Sequence, residues 1–192
     1  QYNPAMLDPS FLTSANNVMV RESGRISFRK GLKQKVVPTG TAIGSMVEHN
    51  DAGTNKIFAS HGTSIYTIDF TSPNAAFPSS GADVKHTVAN STGNWQFINF
   101  NERLHCFHSG IVPQRYDGAL SAGSKWAAFN NSTKPSGVTT FDPSCGMGFY
   151  GRMFVGGVTE NKAVMYYSAL LDGDDYTGTG SGTPTIGHGL GV

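Results

Sequence analysis

The chain lacks the features typical of membrane proteins and disordered tails. Its 192 residues contain no run of 18 apolar residues, so no segment is expected to span a membrane. Only 14% of the residues are charged, which argues against a coiled coil or a disordered tail and favours one domain with a real core. The 14 basic and 13 acidic residues leave a net charge of +1, which identifies no partner. The first residues do not form a signal peptide, and we expect a processed end or a piece of a longer protein.

Cysteine and catalytic motifs are also scarce. Cys106 and Cys145 lie far apart without a CxxC motif, so we expect two buried, unpaired thiols. The six histidines form no HExxH motif, and no GxSxG motif occurs. The glycines between Gly178 and Gly182 are not followed by the lysine of a P-loop. We therefore expect no catalytic metal and no cofactor.

One acidic cluster has a superficial likeness to a Ca²⁺ loop. It contains Asp172, Asp174 and Asp175. It lacks both the glycine at loop position six and the glutamate at position twelve that an EF-hand requires. We interpret it as a solvated turn, and weak Ca²⁺ binding stays open.

Glycine and proline, with 24 and 9 residues, interrupt almost every window long enough for a helix. The best remaining helical window is Ala5 to Val20, with Asp8 or Ser10 as its N-cap. Short β-branched and aromatic runs between turn residues predict an all-β protein instead. The predicted strands include Ala42 to Glu48, Lys56 to Ser60, Ser64 to Phe70, Trp95 to Phe100, Arg103 to Phe107, Cys145 to Tyr150, Arg152 to Val155 and Ala163 to Tyr167.

A four-residue pattern recurs at intervals of 47 and 49 residues. A base is followed by an aliphatic residue, a ring and a small apolar residue in Lys56 to Ala59, Arg103 to Cys106 and Arg152 to Val155. A tyrosine-containing run follows each copy, at Tyr66, Tyr116 and Tyr166. Because strand residues alternate between faces, each copy should present two apolar residues to a neighbouring sheet. These pairs are Ile57 with Ala59, Leu104 with Cys106, and Met153 with Val155.

This period is typical of a β-propeller, in which each blade of about 48 residues is covered by the next blade. Three blades do not close a propeller, so we expect part of a larger ring-forming protein. The predicted organisation is an extended basic arm over 1–40, blades over 41–90, 91–140 and 141–176, and a Gly/Thr/Ser-rich linker or truncated continuation over 177–192. The alternative is a β-sandwich in which the repeat is a coincidence.

Several short motifs also occur in a fixed order along most of residues 5 to 176. They are Ala15 to Val18, Gly24 to Ile26, Phe28 to Leu32, Trp95 to Phe100, Asn101 to Leu104, Gln114 to Gly118, Trp126, Arg152 to Val155, Tyr166 to Leu170 and Asp172 to Tyr176. This order resembles the tail hub and nozzle (tail tubular) proteins of short-tailed bacteriophages. Apart from Trp126, the stretch from Ala119 to Asp142 contributes nothing to the resemblance.

The resemblance implies a structural virion protein without catalytic residues. Copies of the chain, with six as the expected number, would form a ring around the DNA exit channel. The ring would contact neighbouring phage tail or adaptor proteins, pass DNA non-specifically and serve in tail assembly and DNA ejection. The implied location is the phage tail of the virion.

One segment carries a strong charge. Residues 20 to 36 hold six bases against Glu22, a net charge of +5: Arg21, Arg25, Arg29, Lys30, Lys33 and Lys35. They are candidates for contacting DNA phosphates or another subunit. We favour the subunit, because a positive channel wall would hold DNA by its phosphates, and because Ile26 and Phe28 need apolar cover. A positively charged edge strand without a partner is the third interpretation.

Two other functions fit an all-β repeat. A secreted carbohydrate-binding or glycoside-cleaving propeller would need carboxylates and aromatics clustered at one end of its blades, whereas the acids of this chain are scattered over turns. An intracellular interaction propeller would carry Gly-His and Trp-Asp signatures, and these are missing.

Overall fold

The computed structural model describes residues 18–20, 26–28, 36–37, 42–68, 75–77 and 81–184. Their regular structure is almost entirely β-strand, which confirms the predicted all-β class. A single turn of 3₁₀ helix occurs over Asn131–Thr133. No helix in this described part of the chain is long and apolar enough to cross a membrane.

The chain divides into two compact units, residues 1–34 and residues 35–192. In the first unit, strand β1 (Val18–Val20) pairs antiparallel with β2 (Ile26–Phe28). The best remaining helical window, Ala5 to Val20, therefore ends in a strand, Val18–Val20. Its remaining residues lie outside the described part of the structure.

Three antiparallel sheets form most of the second unit. The first sheet contains β4 (Ile43–Asp51), β5 (Thr54–His61), β6 (Ser64–Ile68) and β8 (Lys85–Thr87), in that order. The second contains β9 (Gln96–Phe100), β10 (Arg103–His108), β11 (Ile111–Asp117) and β12 (Trp126–Ala128). The third contains β13 (Cys145–Phe149), β14 (Arg152–Gly156) and β15 (Tyr166–Tyr167). A short parallel pair joins β3 (Val36–Val37) to β7 (Ala75–Ala76).

Each sheet begins with the same tight hairpin. Its two loop residues both have positive φ, as in a type I′ turn, whose twist matches that of the flanking strands. The loops are Ala52-Gly53, Asn101-Glu102 and Tyr150-Gly151. The strand after each hairpin, β5, β10 or β14, holds one copy of the four-residue pattern. The sequence repeat is thus a repeat of local structure.

Consecutive sheets share apolar cores. Phe58 of the first sheet packs with Leu104, Cys106 and Tyr116 of the second, and the Phe58 and Tyr116 ring centroids are 4.8 Å apart. On the opposite side of the second sheet, Phe107 joins a core formed largely by the third sheet and its loops. A two-sheet sandwich has a single shared core, whereas these three sheets share two.

Five of the six residues expected to face a neighbouring sheet are fully buried. They are Ala59, Leu104, Cys106, Met153 and Val155. Ile57 is only partly buried; it shares with Ala59 the face of the first sheet that points away from the second. The expectation that Cys145 is buried is wrong, since its thiol is exposed, whereas Cys106 is buried as expected.

Two glycines allow β13 to lie close to the second sheet. A Cβ at Gly146 would lie 2.9 Å from the Phe107 ring, and one at Gly148 would lie 3.0 Å from the Phe100 ring. Because successive residues alternate between faces, the larger residues of β13 all point the other way. This arrangement leaves Cys145, Met147 and Phe149 exposed.

We expect truncation of the inter-sheet residues to be costly. Leu104→Ala or Met153→Ala should lower the free energy of unfolding by about 2 to 5 kcal/mol, since each leaves a cavity in a filled core. Ile57→Ala should cost less. Met147→Ala, a methionine 52% exposed on the third sheet, is the matched control and should stay within about 0.5 kcal/mol. Urea denaturation measures the free energy of unfolding of all four variants. Equal losses of stability in Met153→Ala and Met147→Ala would contradict this packing of the sheets.

Candidate functional site

The six bases predicted to contact DNA or another subunit lie outside the described residues. They are Arg21, Arg25, Arg29, Lys30, Lys33 and Lys35. Their role therefore stays a prediction. Strand β2 begins directly after Arg25 and ends directly before Arg29, so these two bases flank a described strand.

The first candidate surface is the outer face of the third sheet, formed by Cys145, Met147, Phe149, Phe154 and Tyr167. Met147 and Phe149 are each 52% exposed. Phe154 stacks obliquely on Tyr167, with ring centroids 5.7 Å apart. A shallow, almost entirely apolar groove of about 140 Å³ runs between Cys145, Met147, Phe154 and Met165. Contiguous exposed apolar surface of this kind typically marks a binding face.

Large apolar side chains continue beyond the hairpin end of this face. Tyr150 is 84% exposed, and Leu170 and Leu171 are more than half exposed. Tyr150 and Leu171 have φ values of 46° and 59°, which non-glycine residues adopt at a cost. The Leu171 amide donates to the Gly151 carbonyl at 2.6 Å, which fixes this loop against the hairpin. The structure thus holds apolar side chains in solvent on a constrained backbone.

The second candidate is a polar cleft between the hairpins of the first and second sheets, here called the hairpin cleft. It has a volume of about 530 Å³ and includes Asn50, Asp51, Asn101, Glu102, Arg103 and Asp117 in its lining. A smaller cavity of about 330 Å³ adjoins it and reaches His49. His49 is buried; its Nδ1 is 2.7 Å from Asn99 Oδ1, and its Nε2 has no hydrogen-bond partner.

A partly buried ion pair in the hairpin cleft of the first sheet is hydrogen-bonded to the second sheet. Asp51 pairs with Lys56 on its own sheet, and accepts a hydrogen bond from Tyr116 Oη at 3.0 Å across the interface. Lys125 Nζ lies 3.7 Å from the same carboxylate. A Cβ on Gly118 would fall 1.4 Å from Asp51 Oδ1, so only glycine fits there.

The surroundings of Asp51 keep it ionised. Burial raises the pKa of its carboxyl, but hydrogen bonds from Lys56 and Tyr116 and the positive charges of Lys56 and Lys125 outweigh it, so the pKa falls below 3.8. Burial likewise lowers the pKa of Lys56, and its hydrogen bonds to Asp51 and Tyr116 raise it above 10.5 overall. The pair is therefore charged at neutral pH.

A second ionic cluster ties the second sheet to the loop after the third. Asp174 pairs with Arg115, and lies 3.5 Å from Arg103 and 3.6 Å from the His105 ring. Burial lowers the pKa of His105, only partly offset by Asp174, so the ring favours its neutral form. Arg103 also donates to Asp117 at 2.9 Å.

Two of the three carboxylates of the acidic turn accept backbone amides of the turn itself. The carboxylate of Asp172 accepts the Asp174 amide at 3.0 Å, and that of Asp175 accepts the amides of Thr177 and Gly178. Among the described residues, no group of three or more His, Cys, Asp or Glu could hold a metal ion.

Residues of the Trp95 to Phe100 motif lie at the contacts between sheets. On β9, Gln96 exchanges two 3.0 Å hydrogen bonds with the backbone of Gly146 in the third sheet, while Asn99 donates to the Glu48 carbonyl of the first at 2.8 Å. Trp95 is buried between the first two sheets. Comparisons of the chain with protein-family models, curated proteins and solved structures find no match.

The sequence interpretation did not identify the residues of either surface. For the outer face, a usable signal was present. Cys145, Met147 and Phe149 alternate with glycines, so one face of β13 is apolar and the other face carries no side chains. For the hairpin cleft, no local pattern links Asp51 to Lys125 or Tyr116, which lie more than 60 residues away.

We expect Asp51 to give stability an acid-sensitive component. Because its folded-state pKa is lowered, it stabilises the fold above its ordinary pKa, and this contribution disappears as pH falls through the folded-state value. Asp51→Asn should therefore be clearly less stable than wild type at neutral pH, with the gap narrowing between about pH 5 and about pH 2.

Thermal unfolding across this pH range measures the difference in stability between wild type and Asp51→Asn. Tyr116→Phe keeps the ring but removes one hydrogen bond to Asp51, and should show a smaller narrowing in the same direction. Parallel pH profiles for wild type and Asp51→Asn would contradict the assignment.

Proposed function

We propose that the chain is a structural protein of a bacteriophage tail, a hub or nozzle component without catalytic activity. Copies form a ring around the DNA exit channel, six being the expected number, and the ring serves tail assembly and DNA ejection. The observation that carries the proposal is that three successive antiparallel sheets, each with the same hairpin, pack against one another in chain order.

The repeated geometry supports propeller-like blades. Each sheet is an antiparallel meander opened by a type I′ hairpin, and the first and second sheets are each covered on one face by the sheet that follows. The motifs that resemble the phage family lie in these contacts: Gln96 and Asn99 reach opposite neighbours, and Tyr116 and Gly118 enclose Asp51. The motifs and the geometry of the sheets therefore both support a scaffold of propeller-like blades.

A scaffold of this kind suits a mechanical role. The interfaces combine apolar cores with the hydrogen bond from Tyr116 to Asp51 and the ion pair of Asp174 with Arg115, so directional contacts as well as apolar packing join the sheets. DNA passage requires rigid walls and weak, non-specific contact rather than a reactive centre. Such a ring needs every copy to keep the same arrangement of its sheets.

Native mass spectrometry and electron microscopy of the purified chain test the proposal. We expect closed rings of one copy number with a channel wide enough for duplex DNA. The core variant Leu104→Ala should lose rings together with the fold, whereas Leu120→Ala, at an exposed loop leucine, should keep both. A chain that stays monomeric at every concentration would overturn the proposal.

The hairpin cleft favours one other function, binding of a carbohydrate. Amide, carboxylate and guanidinium groups of Asn50, Asn101, Glu102 and Arg103 line it, and such groups suit sugar hydroxyls. Cleavage fits less well, since a glycosidase needs a protonated acid and the pKa of Asp51 is lowered by its ion pair.

Glycan-array binding followed by calorimetry tests this second function. If it holds, Asn50→Ala and Glu102→Gln should each weaken binding at least about tenfold, the loss expected for a direct polar contact. Lys162→Gln, at an exposed lysine outside the cleft, should not. If no glycan binds and the chain forms rings, the results would support only the proposed tail role.

A further inference from the structure

We propose that His108 is a pH-sensitive latch: its neutral imidazole holds the connector between the first and second sheets, and a protonated imidazole releases it. The connector is defined as residues 88–95, which join the end of β8 to the start of β9. The proposal goes beyond the proposed function and does not depend on assembly, because every residue that carries it belongs to one copy of the chain.

The imidazole of His108, at the end of β10, bridges the second sheet and the connector. Its Nε2 lies 3.1 Å from the Thr92 backbone nitrogen and 2.8 Å from Thr92 Oγ1. Its Nδ1 lies 2.9 Å from the Ser109 carbonyl oxygen. The same imidazole packs on the buried indole of Trp95, with ring centroids 5.1 Å apart. His108 therefore contacts the connector through both polar and apolar groups.

The partners of the two imidazole nitrogens fix the position of the proton. A backbone amide only donates and a backbone carbonyl only accepts, so Nδ1 carries the proton and Nε2 presents its lone pair. A protonated His108 has an N–H group at both nitrogens and accepts no hydrogen bond. The Thr92 hydroxyl can rotate to accept from the new N–H group, whereas the Thr92 amide loses its acceptor.

His86 makes the opposite kind of contact between the same two sheets. Its Nε2 lies 2.9 Å from Gln114 Oε1, and the side-chain nitrogen of Gln114 donates to the Val112 carbonyl at 2.7 Å. Because Gln114 Oε1 is thereby the acceptor, His86 donates and keeps this hydrogen bond when it is protonated. Burial lowers the pKa of His86, only partly offset by Gln114, so acid reduces overall stability there without opening the contact.

Few titratable groups face His108. The connector, the turn at 109–110 and β9 contain no Asp, Glu, Lys or Arg. The Cys106 thiol shares the core of Trp95, and burial raises its pKa well above the usual range, so it stays neutral. On the first sheet, His61 and Lys85 both contact the Tyr66 ring, which belongs to the core on the far face.

The charged residues of β4, β5, β10 and β11 lie towards the hairpin cleft, at the other end of these strands. They are Glu48, Asp51, Lys56, Arg103, Arg115 and Asp117. The protonation state of His108 itself is thus the main change in charge that acid produces beside the connector.

Release of the Thr92 amide has a local consequence. Thr92 lines a cleft of about 450 Å³ between the connector and the first sheet. The connector has two other anchors on the first sheet: the Val88 amide donates to the Thr63 carbonyl at 2.9 Å, and the Ser60 hydroxyl donates to the Gly93 carbonyl. Loss of the bond to His108 should therefore loosen the wall of this cleft and leave the sheets packed.

Hydrogen exchange of the Thr92 amide in the full-length chain tests the latch. As the pH falls from about 8 to about 5, the range over which histidine changes charge, the protection factor of this amide should drop about three- to tenfold, as expected for the loss of one hydrogen bond. The Val88 amide, which donates to a carbonyl rather than to an imidazole, should keep its protection factor.

Two matched variants assign the effect to one histidine. His108→Gln removes the titrating group and should make the protection factor of Thr92 independent of pH. His86→Gln, at the histidine that stacks on Trp126 with centroids 4.6 Å apart, should keep the wild-type pH dependence. Nitrogen-15 NMR of the wild-type imidazoles needs no variant: at about pH 8, the range in which histidine is neutral, His108 should carry its proton on Nδ1.

Three results would overturn the latch. Equal losses of protection at Thr92 and Val88 would show that acid loosens the whole fold. A proton on Nε2 of neutral His108 would contradict the assigned hydrogen bonds. An unchanged pH dependence in His108→Gln would assign the effect to another group. None of these results bears on ring assembly, which native mass spectrometry tests separately.

Discussion

The structure depends on the need to cover both faces of every sheet. Each central strand alternates between two apolar sides: Leu104 and Cys106 face the first sheet, and Phe107 faces the third. A sheet of three or four strands with two apolar faces is unstable by itself, because one side would always be exposed to water. Packing against a neighbouring sheet is therefore required. The glycines of β13 serve this requirement, because they let β13 lie close to Phe107 and Phe100 of the second sheet.

Apolar packing alone would let the sheets slide past one another. Polar contacts between the sheets fix their relative position. Asp51 receives hydrogen bonds from both sheets, and Asp174 binds two arginines of the second sheet from a distant loop. Buried ion pairs add little net stability, since desolvation offsets their attraction, but removing one partner is costly. Their contribution here is a defined register between sheets. In the ring proposed above, this geometric precision would matter more than additional stability.

Much of the local structure could be predicted from the sequence. The strands β5, β10 and β14 fall where the repeated pattern places them, and Tyr66, Tyr116 and Tyr166 are all buried. The failures share a cause. Residues 119 to 142 carry no repeat signal, yet Trp126 begins β12 and Phe141 is fully buried. Short edge strands such as β8 and β12 are stabilised by the strands beside them, and this dependence leaves little trace in their own residues.

The sequence by itself determined the all-β class, the positions of the main strands and the side of each strand that is apolar. These properties are local, because alternation with a period of two is a consequence of backbone geometry within one strand. Only the tertiary structure decided which apolar sides are covered: it buries Cys106 and exposes Cys145, and it covers Leu104 fully but Ile57 only in part. It also brought Asp51 to Tyr116 and Lys125, although no sequence pattern relates them. Such pairings arise from the stacking of whole sheets, and a side chain's own neighbours in the chain carry no information about which sheet will lie against it.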